Sequence, residues 1–398
     1  MDKVIYLDNN ATTAVAPEVR EAMMPFLGPL YGNPSSIHTF GGQVMHHVDE
    51  ARERLADLLG CHPTEVVFTS CGTESDNTAI ASALACYPER RHLITTRVEH
   101  PAVRNVCLAL AQGGRGRLTY RVTEIPVDAE GLFDMAAFGD ALTDDTALAS
   151  VMWANNETGV LFPVEQVGAV CRERGILFHT DAIQAVGKIP MRLPDLPIDM
   201  LSLSGHKLHA PKGIGALYVR RGTRFSPYML GGHQEHSRRG GTESVPLIVA
   251  LGKAAELAKA NLAKEGTAVQ ALRDRIENAL LKATPDARVN GNRKLRLPNT
   301  SNISFEYVEG ESILLMLDQH GICASSGSAC TTGSLEPSHV LRAMGVPFTA
   351  AHGSIRFSLS VYNTAAEIDK VVEVLPPIIR RLREISPFGR DKLPAAAS

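Results

Sequence analysis

The stretch Leu201-Ser-Leu-Ser-Gly-His-Lys-Leu-His209 indicates both the fold and the chemistry of this chain. It continues an apolar, strand-like run over 198–203, which a glycine ends just before Lys207. An ammonium group at the end of a buried strand is costly to desolvate. That cost is avoided when the amine forms a Schiff base with an aldehyde cofactor. Ser204 and His206 add polar groups suited to phosphate oxygens or a ring hydroxyl. Most Gly-x-Lys tripeptides belong to ordinary loops, so the segments upstream decide the question.

Those upstream segments alternate between strand-like and helix-like patterns. Such alternation predicts an α/β fold with a mostly parallel sheet and helices on both of its faces. Ligands of such sheets bind beyond the C-terminal ends of the strands. The predicted strands are 66–69, 92–96, 148–153, 176–180 and 200–203, and the predicted helices include 17–27, 164–174 and one ending at Gly60.

The pattern changes after about residue 258. We predict a large cofactor-binding domain over 14–258 and a smaller α+β domain over 259–398, completed by residues 1–13. The smaller domain contains a predicted strand at 302–305 and another at 354–359. Its last helix covers 365–385, where Pro376-Pro377 should kink or split it.

Composition excludes several functional classes. The chain has 398 residues, a formal net charge of −3 and 21% charged residues, so it shows no basic surface for nucleic acid or membrane lipids. It has no leader-like start and no apolar run of membrane-spanning length. Seven cysteines without a Cys-x-x-Cys pair do not suggest a disulfide framework. A cytoplasmic, reducing location is therefore expected.

Polar residues follow the predicted strands at the edge where ligands bind. Asp181 and Lys207 end neighbouring strands, and a carboxylate there can keep a pyridine nitrogen protonated. Gly72 and Thr73 begin a helix that could bind an anion through its backbone N–H groups. Helix capping explains the start of that helix equally well. Capping is also the alternative for Asp181, but it does not explain why an acid and a lysine meet at the same edge. Asn156 is a further candidate, for a ring hydroxyl or a substrate carboxylate. His100 is a candidate for ring stacking or proton transfer. A surface histidine beside a proline, without a function, is about as common as such a functional histidine.

One cysteine differs from the others in its surroundings. Cys330 lies in a small, polar, glycine-rich stretch over 321–333, which predicts an exposed and mobile loop. Cys107 and Cys171 have apolar neighbours typical of buried cysteines, and Cys323 directly follows an isoleucine and is expected to fill space. An unperturbed thiol is mostly protonated at neutral pH, so a nucleophilic Cys330 needs a nearby base or cation.

Nine segments, in order along almost the whole chain, resemble those of the pyridoxal 5′-phosphate (PLP)-dependent cysteine desulfurases, closest to their nitrogen-fixation (NifS) branch. They are 8–13, 32–36, 69–75, 99–101, 155–159, 179–184, 204–207, 238–242 and 325–330. The resemblance implies a fold-type I, class-V aminotransferase-like PLP enzyme. It also implies a homodimer with each active site at the subunit interface.

The resemblance implies a role for each matching residue. Lys207 would bind the cofactor aldehyde, and Cys330 would be the nucleophile. Arg356 and Asn156 would bind the substrate carboxylate, Arg356 as a bidentate fork. The other cofactor contacts would come from Asp181 at the ring nitrogen, Gln184 at the ring hydroxyl, His100 stacked on the ring, Gly72, Thr73, Ser204 and His206 around the phosphate, and Thr242 of the partner subunit.

The implied reaction converts L-cysteine to L-alanine and leaves a persulfide on Cys330. The sulfur would pass to an iron–sulfur scaffold protein, with nitrogenase maturation as the expected destination. No resident metal is expected, beyond a transient iron–sulfur cluster contact at Cys330. Two positions depart from the family pattern, namely Cys323, where a small residue such as alanine is usual, and Val361, where a basic residue is common.

Two other functions remain open from sequence. A selenocysteine lyase or an aminotransferase could use the same cofactor, although the Cys330 stretch argues against an aminotransferase. A metal or sulfur carrier could instead use His206 with His209, or His233 with His236, but these pairs lie in loop-like sequence without an evident third ligand.

Overall fold

The computed structural model describes residues 4–113, 118–326 and 337–386. The strands are β1 (Ile5–Tyr6), β2 (Val66–Thr69), β3 (His92–Thr96), β4 (Arg121–Ile125), β5 (Thr146–Ser150), β6 (Leu177–Asp181), β7 (Met200–Ser204), β8 (Gly215–Val219), β9 (Ala287–Val289), β10 (Thr300–Phe305), β11 (Ile322–Cys323), β12 (Ser325–Ser326) and β13 (Ser354–Ser358). The helices are α1 (Pro17–Met23), α2 (Thr39–Leu59), α3 (Gly72–Cys86), α4 (Pro101–Ala111), α5 (Met135–Ala141), α6 (Val164–Glu173), α7 (Gln234–Ser237), α8 (Val245–Lys264), α9 (Gln270–Ala283), α10 (Gly310–Asp318), α11 (His339–Ala343), α12 (Phe348–His352) and α13 (Ala365–Ile385).

The predicted α/β architecture is confirmed. A seven-stranded sheet has the order β2-β8-β7-β6-β5-β3-β4. The strands from β7 to β4 pair in parallel, and β8 pairs antiparallel with both β2 and β7. Because β8 runs opposite to both neighbours, β2 points the same way as β7. The C-terminal ends of β2, β3, β5, β6 and β7 therefore meet at one edge of the sheet.

Helix α2 shows how local sequence sets an element. Its N-cap, His38, accepts a hydrogen bond from the Gly41 N–H group at 3.0 Å. Val44 and Val48 lie on its buried face. It ends at Gly60, whose φ of 66° is the left-handed conformation that glycine adopts without a steric penalty.

The C-terminal part of the chain forms a second hydrophobic core. A four-stranded antiparallel sheet, β12-β13-β10-β9, packs with α9, α10 and α13, and β1 pairs in parallel with β11. Leu7 packs into this core, near Ile303 and Phe357. The predicted boundary near residue 258 falls inside α8, which joins α9 through a π-helical segment, Glu265–Val269. The division of the chain into two domains stays a prediction.

The structure differs from two expectations. Pro376 and Pro377 do not split α13, which runs unbroken from Ala365 to Ile385. Leu375, Ile378 and Ile379 beside them are buried in the second core, and this packing holds the helix together across the prolines. The sequence did not predict β4 and β8 of the large sheet. Strand β8 begins with a glycine, which weakens a strand pattern, and β4 is largely polar and only partly buried.

Candidate active site

A cavity of about 300 Å³ opens at the C-terminal edge of the seven-stranded sheet. It is lined by residues from widely separated segments of the chain. The predicted site residues that line it are Gly72, Thr73, His100, Asn156, Asp181, Gln184, Ser204, His206, Lys207 and Arg356. The structure thus brings these ten together, while the individual roles assigned to them stay predictions.

Lys207 lies in a tight turn, Gly205–Lys207, that directly follows β7. Its Nζ atom donates hydrogen bonds to the backbone carbonyls of Asn10 and Ala11, each at 2.6 Å. The sequence did not predict these two partners. Residues 8–13 match the family pattern but offer no side-chain chemistry that would reveal a role for their carbonyl groups.

Asp181 is the last residue of β6 and is 4% exposed. Its Oδ1 atom accepts the N–H group of Ile183 at 2.9 Å. Burial raises the pKa of Asp181 to about 6, while this hydrogen bond and the charge of Lys207 act in the opposite direction. A further cation beside the carboxylate would favour its ionised form.

His100 is the N-cap of α4, and its Nδ1 atom accepts the N–H group of Ala102 at 3.1 Å. This bond places the ring proton on Nε2. Burial and then the charge of Lys207 lower the pKa of His100 to about 4, so the imidazole is neutral at physiological pH. Burial likewise lowers the pKa of His206 to about 4, with Lys207 contributing next.

The first turn of α3 lies along one side of the cavity. Its N-cap, Cys71, makes no side-chain capping bond, so Gly72 and Thr73 begin the helix without a side chain over its backbone N–H groups. A Cβ atom at Gly72 would lie 2.1 Å from the Cδ1 atom of Ile183, so a larger residue there would require the Ile183 side chain to move. Ser204 lines the same side of the cavity, as the last residue of β7.

The opposite side of the cavity comes from the four-stranded sheet. Arg356 lies in β13 and is 6% exposed. Its Nη1 atom donates to the Asn156 carbonyl at 2.9 Å, and its Nη2 atom donates to Oδ1 of Asp8 at 2.8 Å. Its Nε atom has no hydrogen-bond partner within the described part of the chain. Ser326 of β12 completes this side.

Of the predicted site residues that the structure describes, Thr242 does not line this cavity. Cys330 lies outside the described residues. Thr242 lies in an exposed segment before α8 and lines a different cavity with Tyr31 and Val245. The buried positions predicted for Cys107 and Cys171 are confirmed, and burial raises the pKa of each thiol to about 12.

The residues around the cavity fit PLP. The uncapped start of α3 suits a phosphate, Asp181 suits a ring nitrogen, and the Lys207 amine suits an aldehyde. In the described ranges, no group of three or more His, Cys, Asp or Glu side chains is arranged to hold a metal ion. None of the described helices is long and apolar enough to cross a membrane.

Comparisons with known proteins agree with this geometry. Residues 5–371 match the family described as aminotransferase class-V. The chain is 61% identical to cysteine desulfurase 2 of Trichormus variabilis, over 98% of this chain and 96% of that one. It is 57% identical to the cysteine desulfurase NifS of Azotobacter vinelandii, over 96% and 94%. A solved NifS-like protein superposes with a TM-score of 0.88 at 36% identity, covering 96% of this chain and all of that one. The chain therefore belongs to the class-V aminotransferase family and, within it, to the cysteine desulfurases.

Proposed function

We propose that this protein converts L-cysteine to L-alanine and transfers the sulfur to Cys330 as a persulfide. The main support is the single cavity that combines Lys207, Asp181 and Arg356. A lysine next to a carboxylate suits the cofactor, and a guanidinium across from them suits the carboxylate of an amino acid.

PLP, when bound, supplies an aldehyde that holds the substrate amine and a ring that accepts the electron pair released at the α-carbon. The side chains divide the remaining work. Arg356 binds the substrate carboxylate and orients the α-proton towards Lys207. The Lys207 amine takes that proton, and Asp181 keeps the ring nitrogen protonated. The neutral His100 ring, which carries a proton on Nε2, would stack on the cofactor ring.

Sulfur transfer is balanced without an external oxidant. The Cys330 thiolate attacks the substrate sulfur, so an S–S bond forms as the C–S bond breaks. The electron pair of the C–S bond and a proton go to the substrate carbon, which leaves as the methyl group of alanine. Cys330 ends as a persulfide. Ser326, four residues before Cys330 in the sequence, lines the cavity, and four extended residues reach about 14 Å.

Replacing the proposed nucleophile tests the function directly. In the Cys330→Ala variant, the yellow absorbance of bound PLP should persist, while alanine and persulfide formation from L-cysteine should fall by roughly 100-fold or more. The matched control is Cys323→Ala in β11, which should retain wild-type rates. If Cys330→Ala released sulfide from L-cysteine at the wild-type rate, the assignment of Cys330 as the nucleophile would be wrong. A wild-type protein that binds no PLP, or that prefers selenocysteine or transaminates, would refute the proposed activity.

We also propose a homodimer in which Thr242 contacts the cofactor phosphate of the partner subunit. In support, Thr242 lines a surface cavity together with an apolar patch formed by Leu30 and Tyr31, of which Tyr31 is largely exposed. Such a patch is typical of a protein interface. Sedimentation should give twice the chain mass of 42.9 kDa, and a monomer that binds PLP normally would contradict this proposal.

The proposed sulfur acceptor is an iron–sulfur scaffold that serves nitrogenase maturation. The similarity to the Azotobacter vinelandii protein supports this choice. Disruption of the gene should lower nitrogenase activity more than that of other iron–sulfur enzymes, and an equal loss would favour a general role. The cytoplasmic location stays a prediction.

A further inference from the structure

A second lysine lies buried behind the cavity and has no role in the chemistry described above. Lys188 follows β6 and is only 7% exposed. Its Nζ atom donates to Oε1 of Gln184 at 2.9 Å and contacts Oδ1 of Asn10 at 3.5 Å. An ammonium group in such a place is costly unless it is paired and hydrogen-bonded.

A buried carboxylate provides the balancing charge. Glu265 is 7% exposed and begins the π-helical segment Glu265–Val269. Its Oε2 atom has no hydrogen-bond partner within the described ranges. Glu265, Lys188 and Lys207 line one small cavity of about 30 Å³. Burial lowers the pKa of Lys188 and raises that of Glu265, while the charge of each favours the ionised form of the other.

The lysine determines which end of the Gln184 amide carries the oxygen. An ammonium group can only donate, so its partner at 2.9 Å must be the amide oxygen. The Gln184 Nε2 atom then donates one hydrogen to the Asn10 carbonyl at 3.0 Å. Its second N–H group is available to the cavity that Gln184 lines. The same Asn10 carbonyl accepts Nζ of Lys207 at 2.6 Å.

We propose that Lys188, balanced by Glu265, is a positioning residue. It fixes the Gln184 amide so that an N–H group meets an anionic ring oxygen of the cofactor, and it fixes the Asn10 carbonyl that holds Lys207. This inference rests on the proposed function, because it assigns a ligand oxygen to the same cavity. It explains why a cation is buried where it touches neither the substrate side nor solvent.

A purely structural balance of the two buried charges is the competing explanation, and the stability of the variants separates the two. Removing only Lys188 leaves Glu265 as an unpaired buried charge, whereas removing both charges restores most of the stability. A positioning role predicts that the cofactor spectrum stays altered even in the double variant. The other titratable groups that interact with the charge of Lys188 are Arg356, His206 and His209.

The experiment uses PLP-loaded enzyme and follows its visible absorbance as the pH is varied. In Lys188→Met and in Lys188→Met/Glu265→Gln, the pH midpoint of the spectral change should rise by about one unit, because the Gln184 amide is then no longer held with an N–H group towards the ring oxygen. PLP should also dissociate roughly 10-fold faster, as expected for one lost hydrogen bond. The matched control is Glu277→Gln, which changes a buried glutamate paired with Arg296 in the second core. It should lower stability without moving the midpoint.

A wild-type midpoint and PLP off-rate in the folded double variant would overturn the inference, even if Lys188→Met alone is unstable. A shift of the same size in Glu277→Gln would also overturn it, because the effect would then follow general destabilisation. Failure of the proposed function looks different, since the wild-type protein itself would then bind no PLP or form no alanine.

Discussion

The two sides of the cavity differ in how their polar groups are held. On the side of the seven-stranded sheet, His100 and Asp181 accept local backbone N–H groups that follow strand ends. On the side of the four-stranded sheet, Arg356 reaches across to Asp8 and to the Asn156 carbonyl, both distant along the chain. These two contacts of the first side are short-range, although Lys207 on the same side also reaches the distant Asn10 and Ala11 carbonyls. The position of Arg356 depends entirely on how separate parts of the chain pack.

This difference matches the ligands that we propose for each side. A cofactor that stays bound through many turnovers needs groups that are already in place before it binds. A substrate that enters and leaves needs a charge that can exchange partners, and Arg356 can exchange Asp8 for a substrate carboxylate. Variants on the sheet side should therefore alter the absorbance of the bound cofactor, and variants on the opposite side should alter KM for the substrate.

The largest effect is expected on the sheet side, at Lys207. Lys207→Ala should abolish the visible band of the bound cofactor and lower alanine formation by at least about 10³-fold, since the covalent anchor and the proton-transferring amine are both lost. Absorbance and product analysis check this. Lys259→Ala, which removes an exposed lysine paired with Asp57, should leave both unchanged. A yellow, active Lys207→Ala protein would contradict the assignment.

An intermediate effect is expected on the opposite side, at Arg356. Arg356→Lys should keep the visible band but raise KM for L-cysteine roughly 10-fold or more, because lysine cannot form the bidentate pair with a carboxylate. Steady-state kinetics at several cysteine concentrations measure the change. The exposed Arg381→Lys serves as the control. A loss of the cofactor band, with an unchanged KM, would show that the two sides are not separate in function.

The smallest effect is on stability and comes from Glu99, behind the sheet side. Its Oε1 atom accepts the Met152 N–H group and the Thr96 hydroxyl, each at 2.9 Å. Burial raises the pKa of Glu99 from 4.5 to about 8. Between these values the folded state binds more protons than the unfolded state, so stability falls as the pH rises.

Glu99→Gln should therefore flatten the decline in the free energy of unfolding between pH 5 and 8, by up to about 1.4 kcal/mol per pH unit. Urea unfolding at several pH values measures this slope. The exposed Glu89→Gln should retain the wild-type slope. Identical slopes for Glu99→Gln and wild type would show that Glu99 is ionised at neutral pH in the folded protein.

Much of the sheet side could be predicted from sequence. Asp181 and Lys207 each follow an apolar run, and the C-terminal ends of parallel strands meet at one edge whatever their exact register. Arg356 is different, because neither the residues beside it in the sequence nor its distance along the chain from Asp181 and Lys207 predicts that it lines the cavity. Its place was implied only by the family resemblance.

The sequence by itself determined five of the seven strands of the large sheet, the α/β class and the polar residues that end those strands, because these depend on patterns within a few residues of one another. Only the tertiary structure placed β8 antiparallel inside the sheet, set Lys188 behind Gln184 and brought the Asn10 carbonyl to Lys207, 197 residues away along the chain. No local pattern encodes such contacts. They arise when separate segments pack together and each buried polar group must find a partner.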